Sequence, residues 1–583
     1  MSWSTRFTAA FLLFSFFAQW SVSFHMRTER HWAGGFKGEV IFNVTADLSG
    51  WTMHLVFDEP VNTFFSWSGT SENISDFEFV LNSTKNVNDI LTRGDTLVVN
   101  FIAHANGSDT PDVCVFIEEL GNSDCNDSVI PMTSLLTSDI DDYADALGKS
   151  ILFYDAQRSG KVPVGGHVTW LGDSGLDDCV VGGWYDGQGS VKSGFPMATA
   201  VTLMLWGLHK FKDGYAHAGQ LDLMYNSIRW PLDYFLQAWD PFQQELVVQI
   251  GDTATRDTNR DEPDNTIGSR ACLKVSPRDP GSDVAGQTAA ALAAGAVVFR
   301  DKGGSVGSEY AKVLLDTAED IYRFASNSLG LYTDSVIIGP TKYRSTGYSD
   351  ELCLAAAWLH KATGRDTYLT DAKAHVTDSW AWALDWNSKT ILCQIMLYEA
   401  TGSDLYGQEV EAFLLGWLPG GHVTYTPCGL AWFSDEGPNG YTANAAFVAL
   451  LAAEAGLSNA TYREWAFQQI RYIMGDNSAC FSYQIGHGHS YPLLSRSCSE
   501  WSNLCPAGSE HSLDSNPSQL LLGAVVGGPS QNDTYNDVTL PLGDSGVSIL
   551  YNAGFQSALA GILQLQAGNM MPTVNSPCPC TLR

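Results

Sequence analysis

Two hydrophobic rhythms divide the chain. Between residues 25 and 120, apolar and polar positions alternate over short runs such as Gly38–Ala46, Trp51–Phe57 and Thr96–Ala103, which are rich in β-branched and aromatic side chains. Gly, Asn and Asp interrupt these runs at intervals of roughly ten residues, the spacing of strands and turns in a small sandwich. Residues 121–140 shift to Ser, Asp and Thr and read as a linker. From residue 141 the apolar spacing becomes helical, through Tyr143–Gln157, Ala198–His209, Gln220–Ala238, Gly286–Phe299, Tyr310–Ser326, Leu352–Thr363, Thr377–Ala383, Lys389–Ala400, Ala443–Ala455 and Tyr462–Met474. Gly- and Pro-rich loops separate these segments, so residues 141–565 are expected to form one large all-α domain, with 566–583 as a C-terminal tail. No short-period repeat is present, which argues against a solenoid.

The start of the chain points to a compartment. Arg6 precedes the apolar run Phe7–Trp20, and the small residues Ser21 and Ser23 follow. That is the layout of a secretory leader over residues 1–23, and the run is short for crossing a bilayer. Twelve cysteines, an even number, suit an oxidising compartment. The Cys114/Cys125 and Cys498/Cys505 spacings would close local loops, but spacing leaves the pairing open, and buried free thiols are the alternative. Sequons stand at Asn43, Asn73, Asn82, Asn106, Asn126, Asn459 and Asn532. The expectation is a secreted, extracellular glycoprotein without a membrane span.

Charge narrows the partners. With 64 acidic residues against 32 Lys plus Arg, the formal net charge is −32. A surface this short of cations does not track a phosphate backbone, and it does not dock on anionic lipid. Eighteen Trp, 12% aromatic residues and only 16% charged residues suit an aromatic-lined groove for a neutral, flat-faced ligand, of which sugar is the leading candidate.

A series of motifs then runs along the helical region. Gln157-Arg158-Ser159-Gly160 is followed by Gly182-Gly183-Trp184-Tyr185-Asp186, Gly194-Phe195-Pro196-Met197-Ala198 and Pro280-Gly281-Ser282-Asp283-Val284-Ala285-Gly286. Gly347-Tyr348-Ser349-Asp350-Glu351-Leu352, Trp417-Leu418-Pro419-Gly420-Gly421, Tyr425-Thr426-Pro427, Gly475-Asp476-Asn477, Gly527-Gly528-Pro529 and Tyr551-Asn552-Ala553-Gly554-Phe555 complete it. In this order the motifs resemble the family 9 glycoside hydrolases, mostly endo-β-1,4-glucanases, across essentially all of residues 141–565. The resemblance implies an (α/α)6 barrel, in agreement with the helical pattern, and a β-1,4-glucan or similar neutral polysaccharide as ligand. Less strongly, Trp32-Ala33-Gly34-Gly35-Phe36, Gly50-Trp51 and Trp67 resemble a family 2 cellulose-binding module. There Trp32 and Trp67 would be exposed rings that stack on glucan, and Trp51 a core residue. The third ring expected near Lys85 is absent.

The resemblance also locates the expected chemistry. Family 9 enzymes invert the anomeric centre: one carboxylate activates water, and a second carboxyl protonates the departing oxygen from roughly 6.5–9.5 Å away. The family's Asp-Ala-Gly-Asp reads Asp186-Gly187-Gln188-Gly189 here, with unbroken flanks. Asp186, which would help hold the water, is retained, whereas the base position is Gly189. The acid position, five residues before Tyr551, is Gly546, reached without a gap from Asp533, Tyr535 and Asp537. The family's His-His-Arg appears as Leu494-Ser495-Arg496, a His and a Trp are absent between Gly251 and Pro263, and a Trp and an Arg are absent from Gly437–Gly440, with one residue missing. The losses fall on substrate-facing loops, while scaffold motifs persist. Asp544 is the nearby acid that would have to replace the proton donor. Tyr425, Arg496, Tyr551, Trp382 and Asp186 are the retained cleft candidates, and each is equally open to a packing role.

A structural calcium is the one ion the resemblance implies, held by Thr346, Gly347, Asp350, Glu351 and Asn387, the last in place of an Asp. Asp350 and Glu351 would otherwise simply sit at the head of the following helix. Three functional readings remain: a polysaccharide-binding, cellulase-like protein with impaired hydrolysis, an active endoglucanase using Asp186 and Asp544, and a structural extracellular protein that no longer binds sugar.

Overall fold

The computed structural model describes residues 24–32, 35–44, 48–49, 51–57, 61–66, 70–75, 78–83, 90–91, 96–105, 113–117, 142–163, 168, 171–187, 190–251, 270–336, 343–377, 380–488, 490–492, 521–535 and 546–580. The leader, the whole linker, Trp67, Gly189, Arg496 and Asp544 fall outside them, as do Cys125, Cys498 and Cys505. The chain divides into two compact units, residues 1–137 and 138–583.

The first unit contains β1 (Phe24–Trp32), β2 (Gly35–Asn43), β3 (Leu48–Ser49), β4 (Thr52–Phe57), β5 (Val61–Ser66), β6 (Thr70–Ser75), β7 (Glu78–Asn82), β8 (Ile90–Leu91), β9 (Thr96–Ala105) and β10 (Val113–Ile117). Two antiparallel sheets form, in the orders β1-β2-β9-β5 and β10-β4-β7-β6, with β3 and β8 as a separate pair. Alternation does what the pattern demands: Leu97, Val99, Phe101 and Ala103 of β9 are buried, while Thr96 and Val98 are exposed. They join Phe36, Met53, Leu55, Phe57 and Phe79 in one core. Phe64 stacks between Phe79 and Phe101 at 4.7 and 5.0 Å. Trp51 is buried here, its backbone N–H donating to Ser83 Oγ at 3.1 Å. Trp32 ends β1, paired with Gly35.

The second unit is helical: α1 (Tyr143–Asp155), α2 (Gly194–Lys210), α3 (Lys212–His217), α4 (Leu221–Ala238), α5 (Ser282–Lys302), α6 (Gly304–Asn327), α7 (Tyr332–Ser335), α8 (Ser349–Thr363), α9 (Asp366–His375), α10 (Thr390–Thr401), α11 (Asp404–Trp417), α12 (Pro438–Glu454), α13 (Asn459–Met474) and α14 (Ile549–Ala567). Helices α2, α5, α8, α10, α12 and α14 pack each on the next, and α14 returns to α2. Around this closed ring, α1, α4, α6, α9, α11 and α13 lie on the outside, the arrangement of an (α/α)6 barrel. Inner helices are apolar all round because both faces are covered; α5 is buried from Ser282 to Phe299. By length and composition α5 would suffice to cross a membrane, but it is wholly buried in the domain.

One expected helix is absent. Residues 380–383 of Thr377–Ala383 run without helical structure, with Ala381 and Ala383 buried and Trp380 and Trp382 exposed. That period of two belongs to an extended segment, so the apolar content was right and the period wrong. Helices α9, α11 and α14 form where no helix was expected. The tail is fastened to the domain: disulfides Cys428–Cys578 and Cys480–Cys580 tie it down, and Cys580 N–H donates to Asp476 Oδ1 at 3.2 Å. Cys179–Cys272 and Cys353–Cys393 are also bonded.

Candidate active site

Asp186 is delivered by a turn with very little freedom. Trp184 and Tyr185 are fully buried, and Tyr185 N–H donates to the Gln157 carbonyl at 2.9 Å. Gly187 N–H donates to Gln157 Oε1, also at 2.9 Å. Gly187 has φ +69°, and a Cβ there would lie 2.7 Å from the Val547 carbonyl oxygen, so both backbone angle and space demand glycine. The turn is thereby pressed against the start of α14. Ser548, the N-cap of α14, accepts from Leu550 N–H at 3.2 Å and donates to Asp186 Oδ1 at 2.9 Å. Tyr343 donates its hydroxyl to Asp186 Oδ2 and lies 3.4 Å from Ser548 Oγ. Burial, then the Asp186 charge, pushes the Tyr343 phenol well above its ordinary range, so it remains a donor. Asp186 is 5% exposed, with both oxygens engaged.

Gly546 lies two residues before Ser548. Its carbonyl accepts from Gly527 N–H at 2.8 Å, and Val547 bridges Val526. The backbone at Gly546 is therefore held beside the Asp186 pocket. Below the turn, Asp178 binds Arg270 through Nε and Nη2, at 2.7 and 2.5 Å, and Lys192 Nζ at 2.7 Å. Lys192 Nζ also reaches the Val180 and Gly182 carbonyls at 2.9 Å. Burial draws the Lys192 ammonium down to about 8, against the opposing pull of Asp178.

The other candidates separate into packed and open residues. The Tyr425 hydroxyl donates to the Trp417 carbonyl at 2.5 Å and accepts from Trp465 Nε1 at 2.7 Å, which commits it to packing. Tyr551 projects from the first turn of α14 under the start of α12. A Cβ at Gly437 would fall 2.4 Å from its ring, and one at Gly440 2.5 Å, so the segment 437–440 lies close against the tyrosine. Trp382 is the open one, 57% exposed beside Trp380 at 62%, with ring centroids 6.2 Å apart. His422 packs edge-on to Trp382 at 5.0 Å. Sequence reasoning missed Tyr343, Ser548 and Trp380.

The residues expected to hold calcium fall into two hydrogen-bonded groups, Thr346 with Asn387, and Asp350 and Glu351 with Lys389. Thr346 Oγ1 and Asn387 Oδ1 are 3.1 Å apart, and Asp350 Oδ2 accepts from Lys389 N–H at 2.6 Å. Glu351 Oε1 pairs with Lys389 Nζ at 2.8 Å, both side chains being fully buried. Glu351 Oε2 is buried with no hydrogen-bond partner among the described residues. Burial, then the adjacent Asp350 charge, raises the Glu351 carboxyl well above its usual range, with Lys389 opposing. Oxygen donors of this kind suit a hard cation such as calcium, but Lys389 already occupies one oxygen of each carboxylate, which leaves a weakly charged site. Among the described residues there is no cluster of three or more His, Cys, Asp or Glu side chains suited to a metal.

Comparison with known proteins agrees with this geometry. The model of glycosyl hydrolase family 9 matches residues 143–559. Endoglucanase B of Cellulomonas fimi is 37% identical over 466 residues, 75% of this chain, which spans only 43% of that longer protein. The endoglucanase of the termite Nasutitermes takasagoensis superposes with a TM-score of 0.68 at 37% identity, covering 73% of this chain and 99% of the termite chain. Endoglucanase CelQ of Clostridium thermocellum, solved with cellotetraose, superposes with a TM-score of 0.63 at 31% identity, covering 74% of this chain and 72% of its own. The ring of paired helices, the motif order and the Asp186 turn thus have one explanation: the chain belongs to glycosyl hydrolase family 9.

Proposed function

We propose that this protein is a secreted, polysaccharide-binding relative of the endoglucanases, severely impaired in hydrolysis. The carrying observation is Gly546, a residue without a side chain, where register places the proton donor. Gly189 stands likewise where register places the base. Each role contributes about 10²–10⁴ in rate, so losing both removes roughly 5–11 kcal/mol of barrier lowering. Asp186 is a poor stand-in for the base, because two hydroxyls already engage its oxygens. Supporting a ligand that is still sugar, Trp380 and Trp382 offer exposed indole faces, and CelQ was solved with a cello-oligosaccharide. The purely structural reading draws on the packing of Gly437 and Gly440 against Tyr551. An active endoglucanase would need Asp544 to donate the proton.

In this reading the first unit is a β-sandwich that stacks glucan on Trp32 and Trp67, as its two sheets with a shared core and buried Trp51 support. Calcium, held by Thr346, Gly347, Asp350, Glu351 and Asn387, would brace the loop before α8 and take no part in chemistry. The test pairs two measurements on secreted full-length protein: reducing-sugar release from carboxymethyl-cellulose, and calorimetric titration with cellotetraose. Binding without turnover is the expected result. Turnover lost in Asp544→Asn would establish the active reading, and absence of both binding and turnover the structural one.

A further inference from the structure

We propose that Asn532 carries an N-linked oligosaccharide on the rim of the helical unit, on the strand of chain that holds Gly546. The proposal rests on the secreted reading, since the glycosyl donor is met only in the secretory pathway. Seven sequons occur in the chain, and Asn532-Asp533-Thr534 sits in a well-defined turn. Ser530 N–H donates to the Thr534 carbonyl at 2.8 Å, and Asp533 N–H to the Ser530 carbonyl at 3.0 Å.

Within that turn the two ends of the Asn532 amide are treated differently. Its Oδ1 accepts from Ser530 Oγ at 2.6 Å, Thr534 Oγ1 at 2.8 Å and Thr534 N–H at 3.3 Å. The Nδ2 group has no partner among the described residues, and Asn532 is exposed. The oxygen is therefore tied into the turn, which leaves the nitrogen available. The intervening Asp533 faces inward: its Oδ2 accepts from Cys428 N–H at 2.7 Å and its Oδ1 from the Tyr472 hydroxyl at 2.5 Å. Its φ of +64°, uncommon for a non-glycine residue, is held by those two anchors. A sugar on Nδ2 thus meets neither the carboxylate nor a packed surface.

The position matters because the same segment reaches the acid position. Gly527, five residues earlier, donates to the Gly546 carbonyl, and Trp432 Nε1 donates to the Pro529 carbonyl at 3.0 Å. The glycan root therefore stands on chain that packs along the start of α12 and supports the residue before Val547. In the transfer, Asn532 Nδ2 bonds to the anomeric carbon of a lipid-pyrophosphate-linked oligosaccharide. The anomeric C–O bond breaks, the lipid pyrophosphate leaves with the bonding pair, and the amide loses one proton.

The full chain is expressed in secreting insect cells, treated with peptide-N-glycosidase, and mapped with chymotrypsin. The peptide ending at Tyr535 is expected to show Asn532 converted to Asp only after enzyme treatment. Thr534→Ala should abolish the conversion, and Thr534→Ser, which keeps the hydroxyl, should preserve it. Asn532→Gln should lower the intact mass by one glycan and leave secretion unchanged. An unmodified Asn532 in secreted protein whose other sequons are occupied would overturn this proposal alone. A chain retained in the cell with every sequon bare would overturn it together with the secreted reading.

Discussion

Ser548 donates its hydroxyl to Asp186 across 2.9 Å while accepting the Leu550 N–H, so one side chain both starts α14 and orients the Asp186 carboxylate. Removing it breaks two contacts at once. Ser548→Ala should cost about 1 kcal/mol as a lost cap and a further ~1–3 kcal/mol for half of a buried carboxylate left unpaired. Urea unfolding checks the sum. The part belonging to the pair is isolated by a cycle with Asp186→Asn, in which the Ser548→Ala penalty should shrink toward that of the cap alone. An unchanged penalty would mean that the hydroxyl serves only α14.

Asp283, in the first turn of α5 and joined to Tyr343 through Tyr332, should give folding a pH dependence. It is fully buried, accepts from Tyr332 N–H at 3.0 and 3.1 Å and from Val284 N–H at 2.8 Å, and is pushed up to about 6 by burial. The folded state therefore holds this proton more tightly than the unfolded chain does. Its stabilising contribution is present below a pH of roughly 4 and is lost as the pH rises through about 6, a change of ~2–3 kcal/mol. Asp283→Asn, which stays neutral, should remove that decline. Unfolding free energies measured from pH 4 to 7 should converge or diverge between the two proteins by this amount, and parallel curves would exclude the effect.

Legibility from sequence varied with the kind of interaction. The Asp186 turn was readable because Gly182-Gly183-Trp184-Tyr185-Asp186 is one contiguous motif. Tyr343 and Ser548 were not, since their hydroxyls reach Asp186 from 157 and 362 positions away, and a hydroxyl donor leaves no spacing signature. Helix α14 was not read, although the equally buried inner-ring helices α2, α5, α8, α10 and α12 were, and nothing in its burial explains the difference. At residues 377–383, Trp and Ala suggested a helix where the alternate burial of residues 380–383 shows extended chain. Trp380 was overlooked as a surface ring for the same reason.

The two C-terminal disulfides should prove strongly non-additive. Cys428–Cys578 and Cys480–Cys580 close loops of 150 and 100 residues, but their tail cysteines are only two positions apart. Either bond alone already confines the tail, so replacing one pair by serines should cost under about 1 kcal/mol. Replacing both pairs releases the tail and should cost roughly 3–5 kcal/mol. Thermal melts of the three variants decide it, and single-pair losses that sum to the loss in the double variant would show that the bonds act independently.

The exposed indoles give a direct test of ligand class. At 62% and 57% exposure, Trp380 and Trp382 contribute little to packing, so the double alanine variant should melt close to the unmodified protein. If each ring contributes about 1 kcal/mol of stacking, cellotetraose affinity should fall roughly 10–30-fold. Calorimetric titration measures this, and unchanged affinity would place the sugar elsewhere on the unit.

Restoring the carboxylates tests the reading of the cleft most sharply. Gly189→Asp supplies a base and Gly546→Glu an acid, and an inverting displacement needs both in one transition state. Neither single change should raise turnover of carboxymethyl-cellulose above a blank, because residues that work as a unit do not contribute separately. The double variant should regain measurable turnover, well short of that of an intact endoglucanase. The shortfall has a physical source. On the proposed reading the chain lacks His, Trp and Arg contacts to the transition state, and Gly437 and Gly440 pack against Tyr551. Substantial activity in either single variant would mean that a carboxyl outside these two positions already fills the partner role. Asp544→Asn in that background would then identify it.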